Sequence, residues 1–157
     1  MPWAGYDRPI APRLTALHAK SISYKNAYAT SSFTSKSVPG MLTGRYPSEL
    51  VRTGSFFTKY LSSDQFVCKH LGAEGIPCVG AHAHMYFSPG HSGFETGFQS
   101  WKIVPGITFD YQTDPYVTSH KLTPLAIETL QNVVGDGGER PFFAWFHYMD
   151  PHDEYKG

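Results

Sequence analysis

Serine, threonine and histidine side chains are the groups of this chain whose types and spacing most clearly suggest chemistry. The segment from Thr30 to Ser37 is rich in hydroxyls, contains Lys36 and precedes a predicted helix. A hydroxyl at the amino end of a helix faces unpaired backbone amides and the positive end of the helix dipole, which favour an anion and a partly deprotonated oxygen. The segment therefore predicts a site for a phosphate or sulfate ester, although a loop that only caps the helix would have the same composition.

Eight histidines are present, and five of them fall in two clusters, His82, His84 and His91 in the first and His147 and His152 in the second. Side chains two residues apart point to the same side of an extended chain, so His82 and His84 could bind a metal ion together. The clustering favours a functional site. The alternative is that these are surface histidines, or core histidines that pack without a functional role.

Two further candidates each have a structural alternative. Asp150-Pro151-His152 follows a predicted strand, where it forms either part of a ligand site or only a turn in which the aspartate accepts hydrogen bonds from backbone amides. Lys36 is either a counter-charge for an ester or a solvated side chain. This segment and Lys36 therefore remain candidates until the fold of the chain is known.

The elements that must position these residues are helices and strands in alternation. Hydrophobic spacing predicts helices over 12–20, from within 34–37 to 44, from 63 or 64 to about 72, and over 122–133, and strands over 22–29, 76–81 and 141–146. Residues 85–116 are predicted to be a long irregular segment. This order predicts an α/β fold with a mostly parallel sheet flanked by helices. Each predicted strand ends at a polar cluster, and open parallel sheets bind ligands beyond the carboxyl ends of their strands.

Composition limits the classes of partner. The 157 residues suffice for one domain with one core, and 13 basic against 13 acidic residues leave no excess charge, so nucleic acid is not an expected partner. Cys68 and Cys78 are too few for a disulfide scaffold and lack the spacing of a zinc site. No apolar run is long enough for a membrane span and no export signal is visible, so no span is expected in this segment.

Longer segments carry a more specific pattern than any single residue. They are Tyr6–Leu14, Asn26–Thr34, Met41–Pro47 with its Leu-Thr-Gly-x-Tyr-Pro pattern, Gly93–Phe98, and 140–155 with Phe-His-Tyr-x-Asp-Pro-His. In order and spacing, these segments resemble the amino-terminal part of the catalytic domain of sulfatases, in the alkaline phosphatase superfamily. The resemblance implies an incomplete α/β fold of that type.

The resemblance implies a nucleophile at Thr34. Sulfatases place a Cys or Ser ten positions before the glycine of Leu-Thr-Gly, and counting back from Gly44 reaches Thr34. The proline and arginine of the sulfatase motif are replaced by Lys36 and Val38. Without Cys or Ser there is no precursor of formylglycine. A threonine here resembles phosphodiesterases and phosphotransferases of the same superfamily, which form a phosphothreonine directly.

The resemblance also implies binding residues for the ester. His82 and His84 match the lysine and histidine of a Gly-Lys-x-His segment, and His152 matches a histidine that contacts the substrate anion, in the loop that contains Asp150. Thr34 is expected to be a ligand of a divalent cation, Ca²⁺ or Mg²⁺. The other ligands of that ion are expected outside this chain, so residues 1–157 are expected to be a partial domain without turnover of its own, lacking the first strand and the carboxyl-terminal part.

The expected activity of the parent protein is therefore metal-dependent, arylsulfatase-like hydrolysis of sulfuric esters, on a sulfated or phosphorylated small molecule or glycan. The resemblance further suggests an exported protein. In the implied mechanism, Thr34 attacks in line while Lys36, His84 and His152 neutralise the ester oxygens. One alternative is a phosphodiesterase or phosphotransferase with a threonine nucleophile.

A second alternative is a non-catalytic glycan-binding module or an inactive fragment. Loss of the Cys or Ser and of the motif arginine favours it. In that case the aromatic residues of the irregular segment would stack on sugars, namely Tyr86, Phe87, Phe94, Phe98 and Trp101.

Overall fold

Helices and parallel strands alternate over the second half of the chain. The structure is a computed structural model that describes residues 2–61, 65–108, 110, 118–135, 140–150 and 152. Within these residues the helices are α1 (Pro12–His18), α2 (Thr34–Thr43), α3 (Val67–Ala73) and α4 (Ser119–Val134), and the strands are β1 (Cys78–His82), β2 (Ser100–Ile103) and β3 (Phe143–His147). All four helices and two of the strands lie where the sequence predicts them. Residues 63 and 64, predicted to begin α3, lie outside the described part.

The three strands form one parallel sheet in the order β2-β1-β3. Strand β1 is central and buried along its whole length, as its apolar sequence requires. The helix α4 lies between β2 and β3 in the chain and packs on β1. This parallel sheet flanked by helices confirms the predicted α/β class.

Each face of the sheet is covered by its own apolar cluster. The first face packs against an aromatic cluster to which α2 contributes, made of Val38, Leu42, Leu50, Tyr60, Phe66, Tyr86, Phe87 and Phe94. The second face packs against α4, in a cluster of Ala81, Ala83, Val104, Leu122 and Met149. The sheet is therefore the middle of three layers.

Helix α2 positions the candidate nucleophile. Its buried residues include Val38 and Leu42, which attach it to the aromatic cluster. It ends at Gly44, whose φ of 68° is left-handed and whose amide donates to the Gly40 carbonyl. The helix begins at Thr34, within the 34–37 window that the sequence predicts.

Two sequence predictions are wrong. Residues 22–29 are not a strand, and Ile22, Tyr24 and Tyr28 are 84%, 80% and 89% exposed. Alternation of apolar residues produces a strand only where a neighbouring strand accepts its hydrogen bonds, and no described strand does so here. The other error concerns residues 100–103, which lie in the segment predicted to be irregular but form strand β2. Four residues are too few to show a hydrophobic pattern, and pairing with β1 orders them.

Candidate active site

A cavity of about 550 Å³ lies at the carboxyl ends of β1 and β3. This is the position at which open parallel sheets bind ligands. Its lining comes from the start of α2, from residues 56–57 and from the loops after β1 and β3, namely Ser32, Phe33, Thr34, Ser35, Phe56, Phe57, His84, Tyr86, Phe87, His147, Met149 and His152. Three of the sequence-predicted site residues, Thr34, His84 and His152, are thus brought to one space.

Thr34 is the first residue of α2 and its side chain is exposed to the cavity. Its hydroxyl makes no hydrogen bond with any described residue. The Lys36 and Ser37 amides donate to the Phe33 carbonyl at 3.0 Å and 2.8 Å, so the amides of Thr34 and Ser35 are the ones at this helix end without a hydrogen bond to a described residue. An oxygen in this position is accessible to a ligand and is stabilised by the helix dipole when it carries negative charge.

The neighbouring Ser35 has a structural role instead. Its side chain is buried, and its hydroxyl donates to the Phe56 carbonyl at 3.0 Å. Its own carbonyl accepts a hydrogen bond from the Tyr60 hydroxyl at 3.0 Å. These two bonds fix the start of α2 to residues 51–61, which we call the 51–61 hairpin because Arg52 and Tyr60 form an antiparallel bridge.

His84 has a defined tautomer. Its Nδ1 accepts a hydrogen bond from the Tyr86 amide at 3.1 Å, so the neutral ring carries its proton on Nε2. That nitrogen is a hydrogen-bond donor on a side chain that lines the cavity. A neutral His84 can therefore donate to an ester oxygen without first taking up a proton.

His147 lines the same cavity; the sequence places it in a histidine cluster but assigns it no individual role. Its ring stacks on Trp145 at 5.2 Å and lies 4.6 Å from Phe87. Burial lowers the pKa of His147 to about 4, and the nearby His84 and His152 add to the effect. Its position at the end of a predicted strand was the signal that could have identified it.

His82 does not line the cavity, although it is only two residues from His84. It is fully buried and packs between Phe87 and Trp101, with ring centroids 5.7 Å and 5.2 Å away. Burial lowers the pKa of His82 to about 3, and a nearby backbone group of His84 offsets only part of this. Neither ring nitrogen reaches a partner with good hydrogen-bond geometry among the described residues. The structure thus places His82 in the core.

Asp150 and Lys36 also lie outside the cavity lining. The Asp150 carboxylate accepts hydrogen bonds from the Ser119 amide at 3.0 Å and the Thr118 hydroxyl at 3.4 Å, at the start of α4. Burial by itself would raise the pKa of Asp150, but these hydrogen bonds outweigh it and lower the pKa. Lys36 places its Nζ 5.9 Å from the centre of the Phe33 ring, beside the cavity rather than in its wall.

His152 reaches the cavity from the loop after β3. Its amide donates to the Met149 carbonyl at 2.8 Å, which closes a turn, and its side chain is exposed. Of its motif neighbours, Pro151 and residues 153–155 lie outside the described part of the chain. The turn alternative proposed for this segment and its position at the cavity are both observed.

Comparison with known families agrees with this geometry. A family model described as Sulfatase matches residues 1–157, the whole chain. The chain belongs to the sulfatase family. Comparisons with curated proteins and with solved structures returned no match. Membership in this family supports a sulfatase-like hydrolase of the superfamily, as the sequence segments predict.

The five aromatic residues named for the glycan-binding alternative lie in the core or pack against it. Tyr86, Phe87 and Phe94 are buried in the core, and Tyr86 and Phe87 also line the cavity. Phe98 and Trp101 pack against the same core cluster. The exposed aromatic residues among the described cavity lining are Phe33, Phe56 and Phe57, which the sequence does not single out.

Sulfatases generally use a divalent metal ion. Among the described residues, no group of three or more His, Cys, Asp or Glu side chains is placed to hold one. The cavity lining supplies hydroxyls and imidazoles but no carboxylate, whereas Ca²⁺ and Mg²⁺ prefer carboxylate, carbonyl and water oxygens. The described residues therefore do not fit such an ion by themselves, and the Thr34 hydroxyl would be one ligand at most. In the same part of the chain, no helix is both long enough and apolar enough to cross a bilayer.

Proposed function

We propose that the full-length protein hydrolyses sulfuric esters through attack by the Thr34 hydroxyl. The observation that carries this proposal is the position of Thr34 at the amino end of α2, in the same cavity as His84, His147 and His152. A hydroxyl nucleophile needs a nearby base and an environment that tolerates negative charge. The imidazoles supply the base, and the amino end of α2 supplies the environment that tolerates negative charge.

Hydrolysis of the ester proceeds through two displacements at sulfur. In the first, Thr34 Oγ1 bonds to sulfur as the sulfur–oxygen bond to the leaving group breaks, and the threonine proton passes by way of the His152 imidazole to the leaving oxygen, while His84 Nε2–H only donates a hydrogen bond. In the second, water displaces Thr34, which restores the hydroxyl and releases sulfate with one proton. His84 Nε2–H and His152 are the groups that we assign to the ester oxygens and to protonation of the leaving alcohol.

Phosphate esters are the second candidate substrates, because the residue at the nucleophile position is an unmodified threonine. A threonine hydroxyl can form a phosphothreonine with no prior modification of the chain. The two candidates differ in the central atom of the ester and share the same residues. Parallel assays with an aryl sulfate and an aryl phosphodiester, with and without added Ca²⁺ or Mg²⁺, separate them and test metal dependence.

Thr34→Ala in the full-length protein tests the mechanism. We expect turnover to fall by at least about a thousandfold, because removal of a nucleophile leaves only binding and electrostatic effects. Thr34→Ser should keep part of the activity, and mass spectrometry of a quenched reaction should find the transferred group on the Thr34 peptide. Thr15→Ala is the matched control, since Thr15 lies in α1 and its hydroxyl only bonds the Ala11 carbonyl. Unchanged turnover in Thr34→Ala would overturn the proposal.

A further inference from the structure

Helix α3 and strand β1 bring two cysteines together in the interior. Cys68 is the second residue of α3 and Cys78 is the first residue of β1, and a turn at Gly75, whose φ is 72°, lies between them. The Ile76 amide donates to the Leu71 carbonyl at 2.9 Å and holds the chain against the end of the helix. Both cysteine side chains are 1% exposed.

A third segment, residues 97–99, fixes the positions of both cysteines. A Cβ at Gly97 would lie 3.1 Å from the Cβ of Cys68, and the Gln99 amide donates to the Cys78 carbonyl at 2.9 Å. The two side chains meet, and a hydrogen bond joins their thiols. Packing alone explains why a cysteine is buried, since cysteine is among the most buried residue types. Contact between the two sulfurs is a further observation, and it is the arrangement that a disulfide requires.

We propose that Cys68 and Cys78 form a disulfide that links α3 to the start of β1. The inference is independent of ester hydrolysis, because neither cysteine is among the described residues that line the candidate active site. A single bridge differs from the disulfide scaffold that the cysteine count excludes, since the described residues already form a hydrophobic core. Its role is to restrain one end of the central strand.

The bridge forms by exchange with a low-molecular-weight disulfide such as oxidised glutathione. The Cys78 thiolate attacks one sulfur of the oxidant, breaks the sulfur–sulfur bond and releases one thiol. The Cys68 thiolate then attacks the Cys78 sulfur and releases the second thiol. The two cysteines are oxidised, the external disulfide takes up two electrons, and the two cysteine protons end on the released thiols.

The surroundings of the pair determine when this exchange occurs. Cys78 lines a small cavity of about 140 Å³ together with Gly72, Gly75 and Gly97, whereas Cys68 is not among the described residues of its lining. Cys78 is therefore the first of the two to meet the oxidant. Burial raises the pKa of both thiols, so little thiolate is present once α3 has packed on β1. Exchange should be faster during folding than afterwards, and the finished bridge should resist external reductants.

Peptide mapping of the full-length protein tests the bridge directly. The protein is refolded with oxidised and reduced glutathione, unfolded with N-ethylmaleimide and no reductant, and cut with trypsin. Cleavage after Lys69 separates the two cysteines, which fall on peptides 60–69 and 70–102. We expect these peptides to be joined, with a mass lower than their sum by two hydrogens. Maleimide on both cysteines, glutathione on either, or a bond from either to another cysteine would overturn the proposal.

Thermal unfolding of oxidised and reduced samples gives a second readout. Cys68 and Cys78 are ten positions apart, and a bridge that closes a loop of this length should raise the unfolding midpoint by about 5–10 °C. Cys68→Ala and Cys78→Ala should each abolish the difference between the two samples. Val79→Ala is the matched control, because it removes buried atoms from the same strand and keeps both thiols. It should lower both midpoints and preserve their difference.

The cysteine variants also identify the origin of any change in midpoint. A difference between oxidised and reduced samples that persists in Cys68→Ala would assign the effect to other cysteines and overturn the proposal. If a cysteine variant does not fold, the peptide map of the wild-type protein still decides the question, because it requires no substitution.

Discussion

Two histidines separated by one residue have opposite environments in this protein. His82 is the last residue of β1 and points into the aromatic core, while His84 lies beyond the strand and lines the cavity. The chemistry of the imidazole is the same in both. Burial decides the difference, because it disfavours the protonated ring of His82 and leaves the ring of His84 accessible to a ligand.

The buried histidines predict a loss of stability in acid. His82 and His147 have pKa values of about 3 and about 4 in the folded protein, whereas a histidine in the unfolded chain has a pKa of about 6.5. Between these values the unfolded state binds more protons. The free energy of unfolding should therefore fall as pH decreases from about 6.5, by up to about 1.4 kcal/mol per pH unit for each histidine.

Urea unfolding measured from neutral pH to pH near 4 checks this expectation. His82→Leu removes one titrating group at similar volume and should reduce the slope by one proton. Because neither ring nitrogen of His82 has a well-formed hydrogen bond among the described residues, this variant should fold. An unchanged slope in His82→Leu would show that His82 is solvated in the folded state.

The start of α4 depends on a residue from a different part of the chain. Asp150 comes after β3, yet its carboxylate accepts from the Ser119 amide and the Thr118 hydroxyl. The negative charge also faces the positive end of the helix dipole. Asp150 thus attaches α4 to the loop that carries His152.

Asp150→Asn should destabilise the fold by about 0.5–1 kcal/mol at neutral pH, since it removes the charge while keeping an acceptor. The lowered pKa means that this contribution is present above the carboxyl pKa of the unfolded chain and is lost as pH falls through the folded value. Chemical denaturation measures it, with Asp7→Asn as a control at an exposed position. If Asp150 contacted the ester instead, the substitution would weaken sulfate binding and leave stability unchanged.

The sheet has no space for a side chain at Gly80. A Cβ at this position would lie 2.5 Å from Trp101, whose indole stacks on Trp145 with ring centroids 5.3 Å apart. Gly80→Ala should destabilise the protein by about 1–3 kcal/mol, because one indole must move. Gly72→Ala is the matched control, since a Cβ there meets nothing within 4 Å and alanine favours the helix by about 0.5–1 kcal/mol. Thermal unfolding of the two variants should shift in opposite directions.

The described core is built from the part of the chain that follows residue 30. No described residue from 2 to 30 is buried, although this part contains exposed apolar side chains such as Leu17 at 61% exposure. Leu42 in α2, by contrast, is 1% exposed and belongs to the aromatic cluster. Local stability should therefore be low in α1 and high in α2 and the sheet.

A pair of identical substitutions tests this distribution. Leu42→Ala should cost about 2–5 kcal/mol, because it leaves a cavity in the core, whereas Leu17→Ala should change stability by less than about 0.5 kcal/mol. Denaturant unfolding gives both values. Equal costs would mean that α1 is packed against the rest of the protein in solution.

The fold class and part of the site follow from local sequence. Apolar spacing and the residues at helix ends place all four helices, because these depend on contacts within a few residues. The family segments place Thr34, His84 and His152, and the cavity contains all three. Their types and order along the chain are enough for that result, since strands of a parallel sheet end at a common edge.

Only the tertiary structure decides which polar residues face the cavity. His82, Asp150 and Lys36 have the right types and positions in the sequence, but they lie in the core, at the start of α4 and beside Phe33. Phe56 lines the cavity without a sequence signal of its own, and His147 lines it although only its cluster and its place after a predicted strand pointed to it. Burial, strand pairing and hairpin placement depend on contacts between residues far apart in the chain, and no local pattern contains that information.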